Sequence, residues 1–454
     1  MRDTLTRRRW GGGAAALAGA AALAACGGGQ TGSPPAGQAH APVTITIWHH
    51  PLFPWNADVG KEITDPLLAA NPWLTLESTE LIGGGGNAGR EKVLAAAAAG
   101  APPDSFTSGY TDTQDFMDGV VRNLERYLKT SRVVQKSDIW EGLRRDFEFK
   151  GNLVSLPYAP DTRQLFVHAE TAERAGLDPN RPPARWSELE AAASKATRGD
   201  GGTVQHMGWA PFWGSGGVNT WMVPYWQLGG ELLSADQTKV TIFNDKAIRV
   251  LTWLKKVVDN QGGWDRMMAF RSTFPSTGGA ALFMAGATTF YYATLSERSQ
   301  NFKVSMPDLR FNVAIHPLPD EGGTPSTYGG CHSLPISGGS KSPEVTWMVL
   351  EHLTNPENNI KFAVRFDRVP IRESSGNSPV YLQDDRGRKV QIDSMRRRRF
   401  VITAPGGNDI NANLDVVTPY MSGQAALQDT LKETERKAQE ILDRFAARVR
   451  DFKV

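Results

Sequence analysis

The chain has 454 residues, of which 40% are hydrophobic and 22% charged, with 50 basic side chains against 48 acidic ones. This is the composition of a folded globular protein and excludes a disordered or membrane-embedded chain. Near-neutral charge gives no electrostatic basis for a nucleic-acid partner, and the length accommodates two large lobes or about three domains, each able to bury its own core.

The first segment reads as an export address. Thr6-Arg7-Arg8-Arg9-Trp10 precedes a Gly/Ala-rich apolar run from Gly11 to Ala25, shorter than the about 20 apolar residues of a permanent membrane anchor. Leu23-Ala24-Ala25-Cys26, followed by glycines, resembles the lipobox of bacterial lipoproteins, and the arginines resemble a twin-arginine signal. Residues 1–25 are therefore expected to be a signal peptide, with Cys26 as the lipid-carrying first residue of the mature chain. Two or more acyl chains anchor stably where one is marginal. The only other cysteine is Cys331, so no internal disulfide is expected and the cores must hold the fold alone.

Residues 26–42 are rich in Gly, Ser, Pro and Gln without apolar periodicity, which predicts a flexible tether. From Val43 the alternation of Val43, Ile45 and Ile47 with Thr44 and Thr46 predicts a strand. Helices follow from their caps. Ser187 and Glu190 form a capping-box pattern before a helix towards Thr197, and Asn244 caps one carrying Ile248, Leu251, Leu254 and Val258 on a single face up to Gly262. Ser342-Pro343 starts another that Asn355-Pro356 stops. The last helix carries Leu427, Leu431, Ala438, Ile441, Phe445 and Val449 as an apolar stripe between charged residues, so it is expected to dock one face on the protein's own core. Strand-like runs at Leu153–Leu156, Leu165–Val167 and Phe311–Ile315 separate the helices, and the alternation predicts an α/β architecture.

Taken in order, these segments resemble the extracellular solute-binding proteins of ABC importers, family 1, the maltose-binding type, from Val43 to the C-terminus. Val43 to Trp48 is similar to the family's first strand, and Ala95 to Asp104 to its alanine-rich turn ending in Pro-Asp. Leu156-Pro157-Tyr158, Leu165-Phe166-Val167, Ala175-Gly176-Leu177, Pro183 and Trp186-Ser187-Glu188-Leu189 follow in the family's order. Gly229-Gly230-Glu231-Leu232-Leu233, Gly279-Ala280-Ala281-Leu282, Gly329-Gly330, Ser340 to Glu344 and Pro370 complete the likeness. Val167-His168 replaces the usual Tyr-Asn, and Leu282 the usual Met, which marks a divergent member. The resemblance implies a type II periplasmic-binding-protein fold, two discontinuous α/β lobes with a ligand cleft at the hinge. Lobe 1 is expected to take residues 43–161 and 313–367, and lobe 2 residues 162–312 and 368–454, with crossings near Asp161, Phe311–Asn312 and Phe366–Arg368.

The 13 tryptophans are unevenly placed, with Trp209, Trp213, Trp221 and Trp226 close together. Sugars offer apolar C–H faces and hydroxyl rings, so flat aromatic platforms with fixed polar groups suit them. The same indoles equally suit a core, where an N–H needs one partner. The resemblance places Asn219 and Trp221 on the ligand side, and Asp161 where a ligand-binding carboxylate often stands, able to accept two hydroxyl hydrogen bonds; otherwise Asp161 is a hinge cap or a partner for Arg163. His50 and Trp55 beyond the first strand, Tyr110, Tyr291, Tyr292 and His332 complete the candidate set, each with ordinary packing as its alternative.

No metal and no cofactor are expected. Adjacent histidines in an extended segment, His49-His50, point to opposite faces and no second cluster accompanies them. Gly83–Gly86 lacks the Gly-Lys-Ser/Thr ending of a phosphate loop. Arg396–Arg399 reads as a solvated surface, with a permease, anionic lipid or acidic substrate as alternatives. The expected function is a monomeric, lipid-anchored binding protein that catches a carbohydrate outside the cell membrane and delivers it to ABC permease subunits. The same fold holding a glycerol phosphate diester, polyamine or peptide is the alternative. A secreted glycosidase would need two carboxylates about 5 to 10 Å apart, and Asp161 has no evident catalytic partner; nor is there a Gly-x-Ser-x-Gly or His-Glu-x-x-His motif.

Overall fold

The structure, a computed structural model, describes residues 41–50, 58–81, 87–109, 112–200, 202–211, 217–274, 279–400 and 402–454. The signal peptide, Cys26, the tether up to residue 40 and the Gly83–Gly86 turn lie outside the described residues.

Val43–His49 forms the predicted strand, with Ile45 and Ile47 buried on one face while Thr44 is exposed. It is the centre of a parallel sheet between Leu74–Glu80 and Ser105–Phe106. Single bridges from Ser105 to Ile336 and from Ser108 to Ser333 extend this sheet to Cys331–Leu334, which pairs antiparallel with Leu156–Pro160. Helices Asp58–Ala70, Pro343–Thr354 and Pro356–Phe366 supply Ile63, Leu67, Trp347, Leu350 and Phe362 to its core.

A second sheet runs in the order Phe311–Ala314, Arg163–His168, Thr288–Thr294, Thr203–Trp209, Arg198–Asp200. Only Thr288–Thr294 and Thr203–Trp209 are parallel neighbours in it. Its core joins Leu165, Phe166, Trp209, Trp221, Leu251, Leu254 and Phe283. The two sheets with their separate cores make two α/β lobes.

Local signals set several helix ends. Asn244 caps Asp245–Asn260 by accepting the N–H groups of Lys246 at 2.9 Å and Ala247 at 3.1 Å. Pro343 begins its helix, and Asn355 both ends it and caps the next through the Asn358 N–H. The expected box at Ser187 is displaced. The helix starts at Trp186, and Glu188 rather than Glu190 reaches back, to the N–H groups of Ala184 and Arg185. Ser187 is taken instead by Asp320, a distant acceptor that local spacing does not reveal. The last helix, Leu427–Asp451, buries Leu431, Ala438, Ile441 and Leu442 in the larger core, as its stripe requires.

The chain passes between the cores where buried partners change. Ala159 belongs to the smaller core and Leu165 to the larger, Tyr328 to the larger and Cys331 to the smaller, Met395 to the smaller and Ile402 to the larger. Two of the expected crossings therefore differ. Phe311–Ala314 is an edge strand of the larger sheet, and Val369, Ile371, Tyr381 and Ile392 pack in the smaller core. The crossing segments run side by side: the Asp161 N–H donates to the Gly330 carbonyl at 3.0 Å, and the Gly329 N–H to the Arg399 carbonyl at 3.1 Å. A side chain at Gly329 would collide with the Asp161 carbonyl and Arg398, so the close approach requires glycine.

That junction overturns the surface reading for Arg398. The Arg398 side chain is fully buried, paired with Asp146 and donating to the Gly142 carbonyl at 2.9 Å. Arg399 lies 5.2 Å over the Trp226 ring and pairs with Glu231. Arg396, paired with Asp393, remains at the surface. Arg398 is drawn in by Asp146, an acid that lies far off in sequence, whereas the carboxylates that meet Arg396 and Arg399 stay exposed.

Candidate functional site

Where the chain crosses, side chains from both lobes converge on Asp161. Its Oδ1 accepts from Arg163 Nη1 at 2.5 Å and from the Gly330 N–H at 3.0 Å, and its Oδ2 from Arg368 Nη1 at 2.6 Å. Burial opposes the charge on Asp161, but Arg163, Arg368 and the Gly330 N–H outweigh it and hold the carboxyl down at about 2. Both oxygens are thus engaged within the protein, the partner role for Arg163 that the sequence left open.

Two predicted histidines join this centre. His50 follows directly on the first strand, where its N–H donates to Thr107 Oγ1 at 3.2 Å, and its ring lies 4.7 Å from that of His332. Burial, then the positive charge of Arg368 and the neighbouring His49, lower His50 to about 4. Burial, His50 and Arg368 lower His332 to about 3 against the pull of Asp161. Both imidazoles are neutral at neutral pH, each with one donor and one acceptor nitrogen.

Two groups that the sequence reading missed complete the centre. Arg368 is one. Glu297 is the other: burial raises its carboxyl, Asn301 Nδ2 donates to it at 2.5 Å, and the charges of Arg163, Arg368 and Asp161 all reach it. No spacing marks either residue, because Glu297 follows a strand of the larger sheet and Arg368 a helix of the smaller lobe. Nearby in the smaller lobe, Asp112 is buried and accepts from Ser333 Oγ at 3.1 Å; burial and the like charge of Asp115 raise it to about 7.

The aromatic candidates separate from this centre. Trp209, Trp221 and Trp226 are 0%, 0% and 1% exposed in the larger core. Trp209 packs between Trp253 and Tyr292, and Trp221 against Tyr225. Their burial follows from the strand and the apolar helix Gly217–Gln227 that carry them, so the packing alternative describes their place in this structure. The indole N–H groups of Trp209 and Trp221 find no acceptor among the described residues. Tyr291 is buried with its hydroxyl against Gly279, within reach of the charges of Glu297 and Arg163. The Tyr292 ring lies 4.1 Å from that of His316, tilted by 44°, inside the larger lobe. Trp55, Tyr110 and Trp213 lie outside the described residues; Asn219 lies in the helix Gly217–Gln227, with its side chain outside the description.

Among the described residues no three His, Cys, Asp or Glu side chains are placed to hold a metal ion, and no helix is long and apolar enough to cross a membrane. Cys331 is buried and its thiol pushed far up by burial, which keeps it from acting as a nucleophile. The centre is a fixed ion cluster beside two neutral imidazoles, suited to hold polar groups reversibly.

Residues 79–388 match the family model described as bacterial extracellular solute-binding protein. A binding protein of Brucella abortus is 24% identical over 300 residues, covering 64% of this chain and 68% of that protein. Among solved structures, a solute-binding protein of an ABC transporter from Thermotoga lettingae, bound with α-D-tagatose, superposes with a TM-score of 0.73 at 19% identity, covering 88% of this chain and 99% of that one. The cyclic α-maltosyl-1,6-maltose binding protein of Arthrobacter globiformis gives a TM-score of 0.72 at 19% identity, covering 89% and 100%.

Proposed function

Since the chain belongs to the bacterial extracellular solute-binding protein family, we propose that it captures a carbohydrate, an oligosaccharide above all, between its lobes and delivers it to the permease of an ABC importer. It does so exported and tethered through lipid on Cys26, as a binding protein without turnover. The lobes divide at 160–163, 328–331 and 395–402, where the core partners change.

The observation that carries this reading is the convergence of His50, Asp161, His332, Arg368 and Glu297 at the junction of the two cores. In α/β folds ligands bind beyond strand ends, and His50 stands at such an end. Neutral imidazoles match hydroxyl groups, which both donate and accept. Asp161 serves here by fixing Arg163 and Arg368, and Glu297 supplies the further acceptor. Closure follows from contacts to both lobes that exist only with ligand bound, which shift the lobe equilibrium by that differential affinity. The tagatose and cyclic maltosyl-maltose ligands of the two structural neighbours support a sugar.

A thermal-shift screen of the full chain against mono- and oligosaccharides, glycerol phosphate diesters, polyamines and peptides tests this. A ligand at about 100 times its Kd stabilises the folded state by about 2.7 kcal/mol. A saturable rise with one sugar class and no consumption of that sugar is the expected result. A rise only with a phosphate diester, polyamine or peptide overturns the sugar assignment, and consumption of a glycan overturns the transport reading.

A further inference from the structure

The C-terminal helix begins on one lobe and ends on the other. Leu431, Ala438, Ile441 and Leu442 root it in the larger core, and beyond Leu442 its partners change. Arg448 Nη2 donates to Asp118 Oδ1 at 2.6 Å, and Lys150 Nζ to the Phe452 carbonyl at 2.6 Å. The Phe452 ring meets Phe116 edge-on at 5.6 Å and Phe149 at 5.8 Å. All four partners belong to the smaller lobe: Phe116 packs with Phe106 and Val121, and Phe149 and Lys150 precede the core residue Leu153 in one hairpin.

Between the helix root and its tip lies a cavity of about 620 Å3, lined from the smaller lobe by Phe149 and Lys150 and from the larger by Leu442, Phe445 and Arg450. Elsewhere the lobes meet through the chain crossings and through polar contacts such as Arg298 with Asp367 and Asp385, and the Gly406 N–H with Gln114 Oε1. The contact at the helix tip consists of one aromatic cluster and two exposed polar contacts, so it can break and re-form as the lobes turn. Phe116 shares a short helix, Asp112–Met117, with Asp112, which bonds Ser333 beside His332. The tip therefore rests on the same element that borders the candidate site.

We propose that residues 448–452 are a latch between the lobes, docked in the arrangement described here and released in the alternative one, so that the tip sets the balance of lobe arrangements without any ligand. This inference rests on the two-lobed fold and not on the identity of the solute.

Hydrogen exchange on the full chain without sugar tests it, comparing Phe452→Ala with Phe452→Tyr, which keeps the ring. Phe452→Ala is expected to speed exchange at the crossing amides of Asp161 and Gly329 at least fivefold, while the helix Asp245–Asn260 keeps its protection and Phe452→Tyr matches the parent. Unchanged exchange at the crossings in Phe452→Ala overturns the latch. A rise that includes Asp245–Asn260 also overturns it, because the tip would then be a part of the fold's global stability rather than a contact that opens by itself.

Discussion

The ring of His50 lies 4.7 Å from that of His332, tilted by 45°, with burial and Arg368 depressing the basicity of both. His50 follows the strand Val43–His49 and His332 lies in Cys331–Leu334, both of the smaller lobe, and together they form the neutral part of a site whose other members are charged.

This pair sets a pH limit on the fold. An unfolded histidine takes up its proton near 6.5, whereas in the folded chain His50 does so at about 4 and His332 at about 3. The unfolded state binds more protons across that interval, so stability falls as the pH drops from 6.5 towards 4. The melting temperature of His332→Gln is expected to fall less steeply over this range than that of the parent. Parallel profiles would remove His332 from the account.

Asp112 works in the opposite direction. Its carboxyl titrates at about 7 folded against 3.8 as a free group, so the folded state holds the extra proton and stability declines as the pH rises from 4 to 7. Asp112→Asn keeps the shape and cannot ionise. Its unfolding free energy relative to the parent should improve between pH 5 and pH 8, as read by urea denaturation at both values.

Arg368→Ala leaves Asp161 buried with one oxygen stripped of its partner. Removing one member of a buried pair typically costs about 3–5 kcal/mol. Arg368→Ala and Asp161→Asn/Arg368→Ala are expected to differ, with the double variant recovering part of the loss because the uncompensated charge is gone. Equal denaturation midpoints for the two would contradict the pairing described.

Trp221→Ala empties a wholly buried position in the larger core. Substitutions of this kind cost about 3–5 kcal/mol, so the variant should show a clear loss in chemical denaturation even without any sugar. A stability within about 0.5 kcal/mol of the parent would show that the indole is not a core residue.

Asn244→Ala removes the oxygen that accepts the N–H groups of Lys246 and Ala247. A loss of about 1 kcal/mol is expected, measured by thermal unfolding, with Asn244→Asp restoring it.

The residues by themselves determined everything that depends on near neighbours along the chain. The Val43–His49 alternation, the Asn244 cap, the prolines at 343 and 356 and the stripe of the last helix are satisfied within a few residues, so their spacing carries the answer. The ordered segments that resemble the solute-binding family carried the two-lobed class as well. Only the tertiary structure decided what each polar or aromatic side chain meets. Ser187 serves Asp320 instead of its own helix, Arg398 is buried against Asp146, and Trp221 fills a core. Arg368 bonds Asp161, and Glu297, from the other lobe, lies within range of the same charges. Hydrogen bonds, ion pairs and ring contacts act over a few ångströms in space, and chain spacing has no bearing on which distant segments the two cores bring within that range.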